Sequence, residues 1–182
     1  MTYAISHEPR FRQTLAFLKK HLHPGVKILD LGTPNPLSAK LTEAGFQVQN
    51  TGGQDLDIDY QFINSLDFEV LTAFEIFEHM LAPFNLLRHV KADRMVASIP
   101  LKLWFAEAYW DDANDWDKHY HEFEQKQFDF LLRKTGWKIL DSEKWTSPDP
   151  RKIGIRPLLR WITPRYYIVY CERAKDWASD VS

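Results

Sequence analysis

Apolar positions recur along this chain at two spacings, and the alternation between them sets its architecture. From residue 8 to residue 22, Phe11, Leu15, Leu18 and Leu22 fall at helical intervals, with Arg12, Lys19 and Lys20 elsewhere around the wheel. That pattern predicts an amphipathic helix, stopped by Pro24-Gly25. Such a helix can pack on a sheet and could also serve as a lid over a ligand. Val26 to Leu31 is a short, mainly apolar run with polar breaks at Lys27 and Asp30, the pattern of a buried strand. Gly32-Thr33-Pro34-Asn35-Pro36 cannot extend it, because Pro34 and Pro36 lack N–H donors and Gly32 tolerates backbone angles closed to other residues. Leu37 to Ala44 then suits a helix stopped by Gly45, and Phe46 to Gln49 suits a second strand. Strand, sharp turn, helix and strand open a βαβ unit, in which ligands sit beyond the carboxyl ends of the strands.

Downstream, Asn50-Thr51-Gly52-Gly53-Gln54-Asp55 is a turn cluster. Asp55 to Tyr60 alternates polar and apolar and suits a short strand or an extended loop. Phe68 to Phe74 and Arg94 to Pro100 read as buried strands, and Pro83 to Val90 as the helix between them. The interval before Phe68 is short for a full helix, so the architecture is trimmed there. Leu101 to Tyr120 mixes Trp104, Phe105, Tyr109, Trp110 and Trp116 with acidic residues at no clean period, which suits an irregular insertion above the sheet. Phe123 to Lys134 is an amphipathic helix ended by Gly136. Trp137 to Leu140 and Tyr166 to Cys171 suggest two final strands. The Pro- and Arg-rich connection between them carries Pro148, Pro150, Arg151, Lys152, Arg156, Pro157, Arg160, Pro164 and Arg165, and its four prolines favour a loop. The expectation is an α/β fold with a mostly parallel sheet. It would be one domain over 1–182, divided into an N-terminal helix (1–24), a cofactor half (25–100) and a closing half (101–182).

Composition narrows the classes. The 182 residues are 45% hydrophobic and 26% charged, as in an ordinary globular protein. A net charge of −2 gives no global reason to expect a nucleic-acid or membrane partner. The single Cys171 excludes an internal disulfide and suits a reducing cytoplasm. No apolar run approaches the ~20 residues of a membrane span.

On four segments the chain resembles the class I S-adenosylmethionine-dependent methyltransferases, a Rossmann-like fold with an antiparallel last strand. They are Ile28-Leu29-Asp30-Leu31-Gly32, Phe68 through Met80 with its Phe74-Glu75-Ile76-Phe77-Glu78-His79, Met95 to Pro100, and His121-Glu122-Phe123 through Trp137. The resemblance implies S-adenosylmethionine as cofactor, a small-molecule acceptor methylated on oxygen or nitrogen, and a cofactor site formed by Asp30, Gly32, Thr33, Asn35, Gly52, Asp55, Phe74 and Glu75. Two departures stand out. Pro34 and Pro36 take the places of later loop glycines, and Gly52 stands where the family tends to carry a ribose-binding acid, with Asp55 the nearest substitute. Asp30 could contact the cofactor or brace the loop.

Glu75, Glu78 and His79 resemble the acid-x-x-acid-His motif of some O-methyltransferases, in which a later His before a Phe-Glu pair completes a metal site. His121-Glu122-Phe123-Glu124 sits at a comparable place. On a helical turn the three side chains would share a face. Glu75, Glu78, His79 and His121 are therefore candidate ligands for a divalent ion, against the alternative that the Glu-His pair caps a turn or faces the acceptor. His79, His119 and His121 are candidate bases, since an imidazole can take the proton an acceptor must lose. Trp104, Phe105, Tyr109 and Trp110 could wall an acceptor pocket, although packing under a long segment is the simpler reading. The Arg151–Arg165 connection could bind phosphate or carboxylate. Two other readings stay open. One is a degenerate member that binds without catalysis. The other is a nicotinamide-dependent oxidoreductase, disfavoured by the missing glycine fingerprint.

Overall fold

A computed structural model describes residues 2–148 and 153–175, with side chains from residue 8 onward. Arg151 and Lys152 of the basic connection, and Pro150, lie outside the described residues. Six strands form one sheet in the order β2-β1-β3-β4-β6-β5. They are β1 (Lys27–Asp30), β2 (Gln47–Asn50), β3 (Val70–Phe74), β4 (Arg94–Pro100), β5 (Trp137–Thr146) and β6 (Pro164–Arg173). β2, β1, β3 and β4 are parallel neighbours, and β6 runs antiparallel to both β4 and β5. The last strand alone therefore opposes the other five.

Both faces of the sheet are covered, which is why its central strands read as nearly unbroken apolar runs. Successive side chains of a strand point to opposite faces, and the core divides accordingly. Ile28, Val70, Val96 and Ile168 pack on one side with Phe17 and Leu18 of α1 (Thr2–His21), Leu22 just after it, and Leu41 of α2 (Pro36–Glu43). Their neighbours Leu29, Leu71, Ala97 and Val169 face the other side. There they meet Leu86 and Leu87 of α3 (Pro83–His89) and Phe128 and Leu132 of α4 (Gln125–Lys134).

Two expectations change. Asp55 to Tyr60 is neither strand nor extended loop: it turns, and a 3-10 helix follows at Gln61–Ser65. Leu56 and Ile63 are buried there and Tyr60, Phe62 and Leu66 pack against the same core, so compact side chains replace a helix and a strand. The connection between β5 and β6 is not all loop either, since it forms α5 (Ile155–Ile162). Pro157 is its third residue, where the missing N–H belongs to the first turn and has no intrahelical partner in any case.

Candidate functional site

A cavity of about 650 Å³ opens beyond the carboxyl ends of β1, β3 and β4. Gly32, Thr33 and Asn35 follow β1 along its floor, and Phe74 and Glu75 with Ile76, Glu78 and His79 follow from β3. α1 supplies Arg10, Phe11 and Thr14 as one wall, the insertion supplies Tyr109, Trp116 and His119, and β6 supplies Arg165 and Tyr166.

The two prolines after β1 do not disrupt the turn. Pro36 is the first residue of α2, and Asn35 caps that helix, its side chain accepting from Leu37 N and Ser38 N while Asn35 N donates to Ser38 Oγ. A proline at that position gives up an N–H that would be orphaned in any case. The cap has a consequence for ligands, because it consumes the helix-terminal donors that commonly hold anions. Gly32, at φ +100°, donates its own N–H to Thr51 Oγ1 at 2.8 Å. Thr33 N–H is left without a partner among the described residues. A Cβ on Gly32 would meet Ile76 Cδ1 at 3.3 Å, and its φ already excludes most side chains.

Asp30 lies beneath the cavity rather than in its lining. Its Oδ1 accepts from Thr72 Oγ1 at 2.7 Å and its Oδ2 from Asn50 Nδ2 at 3.1 Å, tying β1 to both neighbouring strands. Burial pushes its carboxyl up to about 6, partly offset by these two donors. The folded protein therefore binds this proton more tightly than the unfolded chain, and stability falls as pH rises through the window from the ordinary value to about 6. Two units at 1.36 kcal/mol each give about 3 kcal/mol. Urea titrations at about pH 4 and pH 7 should show a loss of stability smaller by that amount in Asp30→Asn than in the parent protein, since the raised carboxyls of Glu75 and Glu78 titrate in both. An equal pH dependence in both would refute the assignment.

Gly52 and Asp55 also lie outside the cavity lining. Gly52 N–H donates to the Gly32 carbonyl, and Asp55 Oδ1 accepts from Asp57 N to close its own turn. Neither stands in for a ribose-binding acid at the cavity.

Glu75 is held at φ 57°, a left-handed conformation rare outside glycine. Its Oε1 accepts from Ser98 Oγ at 2.8 Å and its Oε2 pairs with Arg10 at 3.3 Å. Burial raises its carboxyl above the ordinary range, opposed by Arg10. Only Phe77–His79 form a 3-10 turn, so Glu75 falls outside the turn that would have aligned it with Glu78 and His79. Glu78 is fully buried, and neither of its carboxyl oxygens has a hydrogen-bond partner among the described residues. Burial, then the neighbouring Glu75, pushes its carboxyl well above the usual range.

What converges on Glu78 is His79 and His119. Ligand atoms of the three lie within 4.8 Å of one another. The insertion is pinned there because Tyr120 N and His121 N both donate to the Glu78 carbonyl, at 2.8 and 3.2 Å. His79 Nδ1 lies 3.1 Å from Lys118 O, and since a carbonyl only accepts, Nδ1 carries the proton and Nε2 keeps its lone pair. His119 Nδ1 lies 3.0 Å from Glu122 Oε1, a carboxylate that orients the ring in the same sense. Burial, with His119 nearby, lowers the His79 pKa and favours the neutral ring.

His121, the expected fourth ligand, does not join them. Its Nε2 faces Leu81 O at 3.3 Å and its ring stacks on Phe123. A bend at Tyr120 sends the two histidines apart. The aromatic residues of the insertion divide between the expectations, with Tyr109 at the cavity as a pocket wall would be. Tyr109 and Trp116 line the cavity, while Trp104 and Trp110 stand exposed rather than packed. Arg10 was not singled out from sequence, because its place in the site follows from how α1 crosses the sheet.

No family model matches the sequence, and no curated protein matches it. Solved structures do match, along nearly the whole chain. A protein in complex with the Haloferax volcanii Trm112 methyltransferase activator superposes with a TM-score of 0.66 at 11% identity, covering 92% of each chain. Magnesium protoporphyrin IX methyltransferase from Synechocystis, solved with S-adenosylhomocysteine, gives 0.58 at 15% identity, over 93% of this chain and 84% of that one. A SAM-dependent methyltransferase from Archaeoglobus fulgidus gives 0.53 at 14% identity, over 94% and 100%. The fold is thus the Rossmann-like fold of the class I S-adenosylmethionine-dependent methyltransferases, and the resemblance on the four sequence segments is a resemblance of fold.

Proposed function

We propose that the protein is an S-adenosylmethionine-dependent methyltransferase acting on an oxygen or nitrogen of a small-molecule acceptor. We further propose that Glu78, His79 and His119 hold a divalent ion beside that acceptor. The observation that carries the reading is one cavity with two chemically distinct ends. At one end, beside Gly32, the Thr33 N–H has no partner among the described residues; at the other, two imidazoles meet a carboxyl group that has no hydrogen-bond partner among the described residues, with His79 Nε2 3.7 Å from Glu78 Oε1. The volume is in the range of pockets that enclose small molecules.

The cofactor fits the first end. Thr33 N–H and the Arg10 guanidinium would hold its carboxylate, and Phe74 and Ile76 would wall it. When bound it supplies a methyl group on a positively charged sulfur. The protein's task is then to place the acceptor in line and to exclude water, which can account for much of the rate. His79 and His119 take either of two roles, as ligands of the ion or as acceptors of the departing proton. A divalent ion held by them would acidify an acceptor hydroxyl. Two imidazoles and one carboxylate suit Zn²⁺ or Mn²⁺ better than Mg²⁺.

Calorimetric titration with S-adenosylmethionine and S-adenosylhomocysteine tests the reading. Saturable binding below about 1 mM is expected for both. No heat at millimolar ligand, with the protein shown folded by circular dichroism, would overturn it and favour a methyltransferase-fold binding module.

A further inference from the structure

Two hydrogen-bond donors on the β6 side of the cavity are not consumed by the fold. Arg165 is half-buried and lines the cavity beside Tyr166. Its Nη1 donates to Leu101 O at 2.6 Å. Its Nε and Nη2 donate to nothing among the described residues, so the planar edge that can grip an oxyanion with two parallel bonds is unused. The Tyr166 ring packs against Trp145 and takes the Arg10 guanidinium at 5.4 Å, while its hydroxyl has no hydrogen-bond partner among the described residues. A guanidinium and a phenol bordering open space with donors to give suit a ligand group that only accepts.

The other charges of the lining favour an anion there. Arg10 pairs with Glu75 at 3.3 Å, and Asp117 Oδ2 accepts from the Tyr109 hydroxyl at 3.0 Å. Burial pushes the Glu78 carboxyl well above the usual range, toward its neutral form. Arg165 pairs with Glu122 alone among the described residues, and loosely, at 3.9 Å from Oε2. The other oxygen of Glu122 faces His119 Nδ1 at 3.0 Å and accepts from Tyr109 N at 3.3 Å. One carboxylate therefore separates Arg165 from His119, which puts the guanidinium on the side where Glu78, His79 and His119 converge. β6 also lies three strands from β1, about 14 Å at ordinary strand spacing, whereas the Gly32 turn follows β1 directly.

Given the methyltransferase reading, we propose that the acceptor is a small carboxylic acid, its carboxylate held by Arg165 and Tyr166 close to the oxygen or nitrogen that is methylated. A carboxylate carries one charge, matched to the one loosely paired cation of the lining, whereas a phosphate ester carries nearly two at neutral pH. Anchoring the acid at one end fixes the orientation of the other, as in-line transfer requires.

Calorimetric titration of the full chain, free of divalent ions, tests it with three probes: 2-hydroxybenzoate, its uncharged counterpart 2-hydroxybenzyl alcohol, and phenyl phosphate. Each is titrated with and without saturating S-adenosylhomocysteine. The acid should bind roughly ten- to a hundredfold more tightly than the alcohol, the range of charge-assisted hydrogen bonds. Arg165→Gln should bring the two to equal affinity, Arg165→Lys should keep part of the difference, and Tyr166→Phe should weaken the acid alone. S-adenosylhomocysteine affinity should stay at the parent value in Arg165→Gln, and unchanged thermal melts would show that the fold is kept. Any of four results would overturn the proposal. They are an acid bound no more tightly than the alcohol, a preference that survives Arg165→Gln, phenyl phosphate bound more tightly than the acid, and loss of S-adenosylhomocysteine binding in Arg165→Gln, which would assign the guanidinium to the cofactor. Failure of the parent protein to bind S-adenosylhomocysteine would sink the methyltransferase reading instead, and the titrations without it still read the Arg165 site.

Discussion

Replacing Glu78 by Gln is expected to weaken binding of Zn²⁺ and Mn²⁺ by about a hundredfold or more, with little change in the rest of the structure. Glu78 is fully buried and neither oxygen has a hydrogen-bond partner among the described residues, with His79 Nε2 3.7 Å from Oε1, and a buried polar group in that state is costly. Its position between two oriented imidazoles accounts for that cost if an ion occupies the gap. Glutamine keeps the shape and removes the charge. Two further variants separate this ligand set from the one the sequence motif suggests. Glu122→Gln should weaken binding roughly tenfold, because Glu122 orients His119 without being one of the three ligands. His121→Asn should leave binding unchanged, because that ring faces Leu81 and Phe123 instead. Ion titration monitored by calorimetry, with thermal midpoints measured alongside, reads all three. Equal affinity in Glu78→Gln and the parent protein would dismiss the site, and loss in His121→Asn would restore the motif-based set.

The central sheet was legible because burial on both faces leaves a plain signature. Arg94–Pro100 is a strand over the range the apolar run suggests, with every residue from Met95 onward buried. The final strands are longer than their apolar cores. β5 runs on through Asp141, Ser142, Glu143 and Lys144, which are exposed or half-buried at the sheet edge and so look like loop in sequence. The turn after β1 was readable as a turn, whereas the part played by its prolines was not. Their effect depends on Asn35 capping α2 through Ser38, a local arrangement that makes Pro36 an ordinary first helical residue. In the site, Glu78 and His79 were legible as a pair because they are adjacent in sequence. Choosing between His119 and His121 depends on the bend at Tyr120 and on two backbone bonds to the Glu78 carbonyl. Those are tertiary facts with no local residue pattern. Glu75 was misplaced for the complementary reason: its spacing suited a helix that its left-handed backbone does not form.

Arg173→Ala is expected to cost about 3–5 kcal/mol of folding stability, since each buried carbonyl left without a donor costs about 1–3 kcal/mol. Arg173 closes the end of the sheet away from the cavity. Its guanidinium donates to Leu87 O at 3.2 Å and Thr135 O at 2.9 Å, to Val90 O, and through Nε to Ala92 O at 3.3 Å. It also lies over the Trp137 ring, 3.8 Å from the centroid. Several of those carbonyls terminate helices: Val90 caps α3 and Thr135 caps α4, so one cation also serves the negative ends of two helix dipoles. Burial lowers its pKa to about 10, which leaves it charged at neutral pH. Alanine would take these donors from the Val90, Ala92 and Thr135 carbonyls, while Leu87 O keeps the Trp137 Nε1 donor at 3.1 Å, and lysine, a point charge without the planar fork, should recover only part of the loss. For a chain of this length each kcal/mol moves the thermal midpoint by about 2–4 °C, so the drop should be on the order of 10 °C. Urea unfolding would check the free energy directly. Because the residue is remote from the Gly32 turn and from Glu78, cofactor and ion affinities measured well below the lowered midpoint should match those of the parent protein. A loss under about 1 kcal/mol, or full rescue by lysine, would mean that the carbonyls find other donors and that Arg173 does not hold these helix ends together.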